Sequence, residues 1–185
     1  MFNTWEGTFP AWRGAAMNLF NAGADGLYIF NPALGEPHWY REIGEVATMA
    51  GKDRLYGIDR FKGADSFHDV PELNLDPGES VATGFQVGED VSAAGARSID
   101  FRLHLWNHVP GDDIVVKLNG ASIDGLEPAD PGRNPQQGQW LAGHLDTGQV
   151  KSGENLLDVS VTKRGEAASS PLALDAAQLR VRCEG

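Results

Sequence analysis

The sequence is poor in several features on which common protein functions depend. Its single cysteine, Cys183, excludes an intrachain disulfide and a cysteine-based zinc site. No apolar run approaches the roughly 18 residues of a membrane span, and the first residues lack the basic start and apolar stretch of a signal peptide. Lysine and arginine number 15 against 26 acidic residues, which gives a net charge of -11 and leaves no basic stripe for a phosphate backbone. We therefore expect neither a membrane nor a nucleic acid as a partner.

Catalytic signatures are absent as well. The sequence contains no Ser/His/Asp nucleophile motif, no phosphate-binding glycine loop and no dinucleotide fingerprint. Two of the five histidines, His104 and His108, are too far apart on a predicted strand to share one zinc ion. The pair Asp112-Asp113 and the loop from Asp124 to Asp130 offer oxygen ligands for calcium, but a solvated acidic loop is the simpler interpretation. We predict no metal and no cofactor.

The leading part of the chain has the pattern of a helix, a turn, a strand and a second helix. A helix reaching about Asn21 is predicted by an apolar stripe at helical spacing, formed by Trp12, Ala15, Ala16, Leu19 and Phe20. The apolar run from Leu27 to Phe30 is typical of a strand buried on both faces, and Asn31 closes it. Apolar residues recur at helical spacing from His38 to about Met49, which predicts a second helix. Residues 52–62 are predicted to be extended, and residues 63–65 are predicted to form a domain boundary.

Beyond residue 65 the apolar period changes from helical to twofold, as in half-buried strands. The alternating sets are Val81, Thr83, Phe85 and Val87; Ile99, Phe101, Leu103 and Leu105; Ile114, Val116 and Leu118; Leu157, Val159 and Val161; and Leu179, Val181 and Cys183. Asn119-Gly120 stands between two such runs and predicts a tight hairpin, since both residues tolerate φ > 0 in a type I′ turn. The content of 41% hydrophobic residues suffices for a core, so residues 65–185 predict a mainly β, antiparallel, jelly-roll-like β-sandwich.

A family resemblance is carried by the motifs Arg13-Gly14-Ala15-Ala16, Gly23-Ala24-Asp25-Gly26-Leu27-Tyr28 and Phe30-Asn31. With them, residues 1–64 resemble the last α-β-α portion of the TIM-barrel domain in a bacterial group of glycoside-hydrolase-like proteins. Those proteins often carry a C-terminal β-sandwich, and the order of segments here is similar. The β-rich part resembles galactose-binding-like jelly rolls, chiefly through the hairpin at Lys117-Leu118-Asn119-Gly120. The resemblance implies two domains, a barrel remnant at 1–64 and a sandwich at 65–185.

The chain departs from that family in one respect that limits its chemistry. A TIM barrel takes about 200 residues or more, and only some 60 precede the predicted sandwich. Glycoside hydrolysis normally needs a pair of carboxylates, which one barrel strand does not supply. Asn31 lies after the predicted strand, on the face where a barrel ligand would sit, and its alternative role before Pro32 is turn formation. We do not expect independent catalysis.

The predicted sandwich offers a more informative group of side chains. If Ile99, Phe101, Leu103 and Leu105 face the core, the residues between them face outward. The same argument turns Trp140 and His144 outward, because Leu141 and Leu145 point inward. Sugars bind aromatic rings flanked by hydrogen-bonding groups, and such a platform is predicted from Arg102, His104, Trp106, Trp140 and His144. The competing interpretation is that the leading helices cover this aromatic face.

Three hypotheses for the function follow from these observations. The first is a non-catalytic accessory module of a glycoside-hydrolase-like protein, with a structural or carbohydrate-binding role. The second is a fragment of an active glycosidase whose remaining barrel lies upstream or in a partner chain. The third is a structural domain that self-associates through the strand from Leu27 to Phe30, because an unpaired strand edge invites pairing.

Overall fold

The computed structural model describes residues 9–29, 37–59, 73–129 and 138–183. It is mainly β, as predicted, with two helices, α1 (Phe9–Asn21) and α2 (Pro37–Glu42). The strands are β1 (Arg54–Asp59), β2 (Leu73–Leu75), β3 (Ser80–Val87), β4 (Ala96–Trp106), β5 (Asp113–Leu118), β6 (Ala121–Ser122), β7 (Glu127–Pro128), β8 (Gln139–Leu145), β9 (Gly153–Lys163) and β10 (Leu172–Cys183). No helix within these ranges is long and apolar enough to cross a membrane.

The strands form two sheets whose inner faces enclose one core. Sheet A has the order β1-β10-β4-β8-β7, with β2 also paired to β10, and sheet B has the order β3-β9-β5-β6. All the strand pairs between described residues are antiparallel. The five alternating sets of the sequence lie in β3, β4, β5, β9 and β10, and most of their apolar members are buried. The prediction of an antiparallel β-sandwich is thus confirmed.

The predicted hairpin at Asn119-Gly120 is also confirmed. The two residues have φ values of 54° and 86°, which is the left-handed conformation that a type I′ turn requires. The Asn119 side chain donates through Nδ2 to the Gln149 carbonyl at 2.8 Å and accepts at Oδ1 from the Leu156 N–H at 3.1 Å. Asn119 therefore anchors the turn to β9 in addition to allowing its backbone conformation.

Helix α1 closes one edge of the sandwich. It packs against β1 and β3, the edge strands of the two sheets on this side. The approach is so close that a Cβ atom on Gly14 would lie 2.1 Å from the Leu55 carbonyl oxygen. Gly88 makes a similar contact from the other side, since its Cβ would lie 2.3 Å from the Met17 carbonyl oxygen. Covering an edge with a helix protects its unpaired backbone groups from other chains.

The close contact at Gly14 corrects the predicted helix face. The buried residues of α1 are Phe9, Ala11, Gly14, Ala16 and Met17, whereas Leu19 of the predicted stripe is 51% exposed. An apolar stripe leaves out glycine, yet here the contact centres on Gly14 because the absent side chain lets the helix meet β1. The helix itself was predicted correctly. Trp12, Ala16 and Phe20 of the predicted stripe pack on the core as expected, but the buried face is centred nearer Gly14 and leaves Leu19 out.

Two further predictions for the leading segment need correction. Residues 27–29 have no regular secondary structure and Tyr28 is 89% exposed, so the predicted strand from Leu27 to Phe30 is not formed in its described part; Phe30 and Asn31 lie outside the described residues. The predicted second helix ends early at Glu42 and is followed, beyond Gly44, by a 3₁₀ turn, Val46–Met49. Glycine costs about 1 kcal/mol in a helix, which favours the break.

The leading segment also contributes a strand to the sandwich. β1 pairs antiparallel with β10 along its whole length, from Arg54 opposite Val181 to Asp59 opposite Ala176. Tyr56 and Ile58 belong to the same continuous core as the strands of both sheets. The boundary predicted at residues 64–65 lies outside the described residues, so the division into two domains stays a prediction.

A buried ion pair joins β1 to the loop that follows β3. Arg54 is 2% exposed and Glu89 8% exposed, and the guanidinium donates to both carboxylate oxygens. Arg54 also donates to the Met49 and Lys52 carbonyls, each at 2.7 Å, and the Tyr56 hydroxyl donates to Glu89 at 2.6 Å. Burial and the neighbouring carboxylate raise the pKa of Tyr56, which keeps its hydroxyl a donor.

Gly14→Ala should destabilise the protein although alanine is the better helix former. The gain of about 1 kcal/mol in helix propensity is opposed by overpacking against the Leu55 carbonyl, which typically costs 1–3 kcal/mol. Because the contact is with a backbone atom that cannot turn aside, we expect the upper part of that range and a net loss of about 1–2 kcal/mol in the free energy of unfolding, measured by urea denaturation. The matched control is Gly148→Ala, where a Cβ atom meets nothing within 4 Å. Equal stability of the two variants would contradict the close contact.

Glu89→Gln should cost about 3 kcal/mol of unfolding free energy, because it leaves the Arg54 charge buried without its carboxylate. Tyr56→Phe removes one hydrogen bond from the same cluster and should cost only about 1 kcal/mol. Both values come from urea unfolding at neutral pH. A loss below about 1 kcal/mol for Glu89→Gln would show that the pair does not hold β1 to the sandwich.

Candidate functional site

The outer surface of β4 and β8 brings together most of the residues predicted to bind a ligand. Along β4 the side chains of Ile99, Phe101, Leu103 and Leu105 are buried, and those between them lie on the opposite face. β8 pairs with β4 in a register that sets Trp140 directly opposite His104 and Ala142 opposite Arg102. We call the side chains of Arg102, His104, Trp106 and Trp140 the aromatic surface.

The four side chains of the aromatic surface form a continuous chain of contacts. The Arg102 guanidinium carbon lies 4.9 Å from the centroid of the Trp140 ring, within the range of a cation–π interaction. The His104 and Trp140 rings are 4.8 Å apart at a tilt of 37°, and the His104 and Trp106 rings meet edge to face at 5.9 Å. The structure thus brings four of the predicted residues together on one face, and their role in binding stays a prediction. Trp106 and Trp140 both remain partly exposed.

His104 is held in its orientation by a residue that the sequence analysis missed. Its Nδ1 atom lies 2.6 Å from Oδ2 of Asp175 on β10, and the histidine side chain is 12% exposed. A register shift between Leu174 and Ala176 makes Asp175 the extra residue of a β-bulge, which turns its carboxylate outward. Twofold alternation alone does not reveal a bulge, so the sequence carried no signal for this contact.

The other end of the same surface is ionic. His144 is 81% exposed at its side chain, and its Nδ1 lies 3.0 Å from Oδ1 of Asp100. Arg182 donates from Nε to the other oxygen of Asp100 at 2.6 Å. His144 therefore shares the surface with the aromatic residues but lies in a separate cluster. Asp100 has the same parity on β4 as Arg102, so the alternation could have predicted it. Asn31 lies outside the described residues.

The position of α1 bears on the competing interpretation, in which the leading helices cover the aromatic face. α1 packs against β1 and β3 at the edge of the sandwich. α2 adjoins it, since Trp39 stacks on Phe9 with ring centroids 4.6 Å apart. Within the described residues, the buried apolar side chains of α1 pack at this edge and in the core, Leu19 is half exposed, and Trp106 and Trp140 keep part of their surface exposed.

A second polar cluster organises the loops at the Trp106 end of the sandwich. The fully buried Asp112 side chain accepts hydrogen bonds from the Val109 N–H at 2.9 Å, the Gly165 N–H at 2.8 Å and Arg164 Nε at 2.8 Å. Arg164 also donates to the carbonyls of Asn107 and Ser170, both at 2.7 Å. These bonds tie the β4–β5 connection to the β9–β10 connection.

The same cluster bears on the calcium site considered from the sequence. The Asp112 carboxylate is already committed to three donors, so it is not a free ligand. Among the described residues no group of three His, Cys, Asp or Glu side chains is placed to hold a metal ion. Asp130 lies outside these ranges.

Asp112→Asn should lower stability in a pH-dependent manner. Burial alone raises the pKa of Asp112, but the hydrogen bonds from Arg164 and the two backbone N–H groups outweigh it and lower the pKa below its usual 3.8. The ionised form therefore favours folding above pH 3.8, and this contribution disappears as the pH falls through the lower folded value. We expect a loss of about 3 kcal/mol at pH 7 that shrinks by pH 3, measured by urea unfolding.

Asp113→Asn is the matched control for this variant, since Asp113 is exposed and its change should stay within about 0.5 kcal/mol at both pH values. A difference between wild type and Asp112→Asn that does not change with pH would contradict the assigned hydrogen-bond network.

Comparisons with known proteins yield likenesses of architecture. No protein-family model and no curated protein matches the sequence. Among solved structures, a β-porphyranase of glycoside hydrolase family 86 from the human gut bacterium Bacteroides plebeius aligns over 70% of this chain and 20% of its own, at 15% identity and a TM-score of 0.44. The chain thus spans about a fifth of the length of that enzyme.

Two further solved structures show the range of these likenesses. A family 35 carbohydrate-binding module from an environmental isolate aligns over 74% of this chain and 93% of its own, at 16% identity and a TM-score of 0.37. Dimeric latent PorU from Porphyromonas gingivalis aligns over 72% of this chain and 13% of its own, at 11% identity and a TM-score of 0.39. At these scores none of the matches assigns the chain to a family.

Proposed function

We propose that this chain is a non-catalytic accessory module that binds carbohydrate on the aromatic surface of sheet A. The observation that supports the proposal is the continuous contact of Arg102, Trp140, His104 and Trp106 on the outer face of two paired strands. Sugar rings carry apolar C–H faces that pack on indole rings, and their hydroxyl groups need donors and acceptors at the border. Arg102 supplies a donor there, and Asp175 an acceptor.

The placement of these residues also supports binding. β4 is hydrogen bonded on one side to β10 and on the other to β8, so it is an internal strand of the sheet. Side chains on such a strand lose little freedom when a ligand binds, because the backbone is already fixed and the rings contact one another. A glycan that follows β4 would meet the rings first and the ionic cluster of His144 and Asp100 farther along.

The carboxylates on this surface favour a non-catalytic role. Asp175 contacts His104, while Asp100 contacts His144 and Arg182. Glycoside hydrolysis normally takes two carboxyl groups on either side of the scissile bond, one of them free to transfer a proton. Asp100 and Asp175 are instead engaged in ion pairs or hydrogen bonds that orient neighbouring side chains, and the remaining described carboxylate of this face, the exposed Glu127 opposite Ala142 on β8, is not by itself a pair.

The relation of the leading segment to a TIM barrel remains part of the proposal. In that view residues 1–64 are the remnant of a barrel and the module belongs to a glycoside-hydrolase-like protein. The alternative, a fragment of an active glycosidase completed by other barrel strands, needs a strand near residue 27 that pairs with a neighbour. Residues 27–29 do not form one in the described structure.

Trp106→Ala and Trp140→Ala should each weaken carbohydrate binding at least about tenfold, as for aromatic residues at the centre of an interface. Wild type is first applied to an array of neutral and acidic oligosaccharides, and the best-bound oligosaccharide is then titrated by calorimetry. Tyr28→Ala removes an aromatic ring that is 89% exposed in the leading segment; it is the control and should change the dissociation constant less than about threefold.

The outcomes of this experiment separate the parts of the proposal. No binding by wild type to any array member would overturn the carbohydrate role. Binding that survives both tryptophan substitutions would show that another surface holds the sugar. Thermal unfolding of each variant shows whether it remains folded, and Trp140→Phe keeps an aromatic ring should Trp140→Ala unfold.

A further inference from the structure

The two nitrogens of the His104 ring have different surroundings. Nδ1 lies 2.6 Å from Oδ2 of Asp175, and an ionised carboxylate only accepts hydrogen bonds. In its neutral form the ring therefore carries its proton on Nδ1 and a lone pair on Nε2. Nε2 has no hydrogen-bond partner within the described residues and is not fully buried, in a side chain that is 12% exposed. Asp175 thus makes Nε2 a hydrogen-bond acceptor.

A glycine keeps side-chain atoms away from this acceptor. Gly138 directly precedes β8, and a Cβ atom on it would lie 2.8 Å from Nε2 of His104 and 2.9 Å from the adjacent ring carbon Cε1. Its φ of 145° is a conformation that other residues rarely adopt. Any larger residue at position 138 would place its side chain against the ring nitrogen, so glycine is the residue that leaves Nε2 unobstructed from this side.

The acceptor lies beside both indole rings of the aromatic surface. The centroid of the His104 ring is 4.8 Å from that of Trp140 and 5.9 Å from that of Trp106. A sugar that packs its C–H face on an indole ring brings its hydroxyl groups to the border of that ring. A small number of placed polar groups in an aromatic site fixes the orientation of the ligand. Nε2 is such a group, at the border of two aromatic rings.

We propose that Nε2 of His104 accepts a hydrogen bond from a hydroxyl group of the bound sugar, and that Asp175 is the positioning residue that makes it an acceptor. This inference rests on the proposed carbohydrate-binding function and adds the atom that selects among sugars. Asp175 acts through Oδ2, which holds both the ring and its proton. A sugar without a hydroxyl group at this position leaves Nε2 unpaired and binds more weakly.

The position of the proton is measured first, in the protein without ligand. Long-range ¹H–¹⁵N spectra at pH 8 distinguish a protonated ring nitrogen from an unprotonated one. We expect the proton of His104 on Nδ1, and Asp175→Asn should weaken this preference because an amide donates as well as accepts. The exposed His38 is the reference for a ring that no described carboxylate holds. A proton on Nε2 of His104, or on both nitrogens, would overturn the proposal whatever the ligand.

Binding is then measured at the same pH with cellohexaose, mannohexaose, xylohexaose and the best-bound oligosaccharide of the array. Asp175→Asn should weaken binding about fivefold, which corresponds to one hydrogen bond. The bound sugar should move the Nε2 resonance toward that of a protonated nitrogen and leave Nδ1 in place. Asp158→Asn makes the same substitution on the outer face of sheet B and should leave the affinity unchanged.

His104→Phe tests whether Asp175 acts through the ring nitrogen. The variant keeps an aromatic ring without a nitrogen and should also bind about fivefold more weakly. Asp175→Asn added to His104→Phe should change the affinity less than about twofold further, because the group that Asp175 positions is already lost. Fully additive losses in the double variant would overturn the positioning role. Thermal unfolding of each variant shows that it remains folded.

The outcomes separate this inference from the proposed function. Binding that is lost in Trp106→Ala and Trp140→Ala but unchanged in His104→Phe and Asp175→Asn would overturn the hydrogen bond and leave the aromatic surface as the carbohydrate site. No binding of any oligosaccharide by wild type would overturn the proposed function and, with it, the contact at Nε2.

Discussion

The buried pairing of Arg54 with Glu89 is the constraint on which the arrangement of this sandwich depends. It lies between the two sheets, joining the first strand of sheet A to the loop that leaves the edge strand of sheet B. A charge in this position is tolerated only when its partner stays in place. The pairing therefore links β1 to the loop that follows β3, and α1 packs against both of these strands.

From that edge the organisation of the aromatic surface follows in order. β1 pairs with β10, β10 with β4, and β4 with β8, so the aromatic surface is built two strands in from the strand that Arg54 holds. The bulge at Asp175 lies on the intervening strand and reaches back to His104. Each of these steps is a ladder of backbone hydrogen bonds between two strands. The sheet therefore determines the positions of the rings, and they depend little on the conformation of loops.

The sequence predicted best where a period was regular and worst where a single residue departed from it. Alternation along β4 and β8 was enough to bring Arg102, His104, Trp106 and Trp140 to one surface, because a strand admits only two faces. It could not locate Asp175, because a bulge interrupts the alternation. It could not locate Gly14 either, because glycine has no side chain and is not counted in an apolar stripe. Arg54 was missed for a different reason. A charged residue is expected at the surface, and only the fold shows that Arg54 and Glu89 are buried together as an ion pair.

The position of the last strand has a consequence for how the module would present a ligand. Cys183 lies opposite Ala96 at the start of β4, whereas Trp106 ends that strand. Eleven residues of extended chain separate the two ends by roughly 35 Å. A surface or a larger protein attached at Cys183 would therefore stand at one pole of the sandwich, and Trp106 lies near the opposite pole. Because the chain has a single thiol, that attachment would hold every copy in the same orientation.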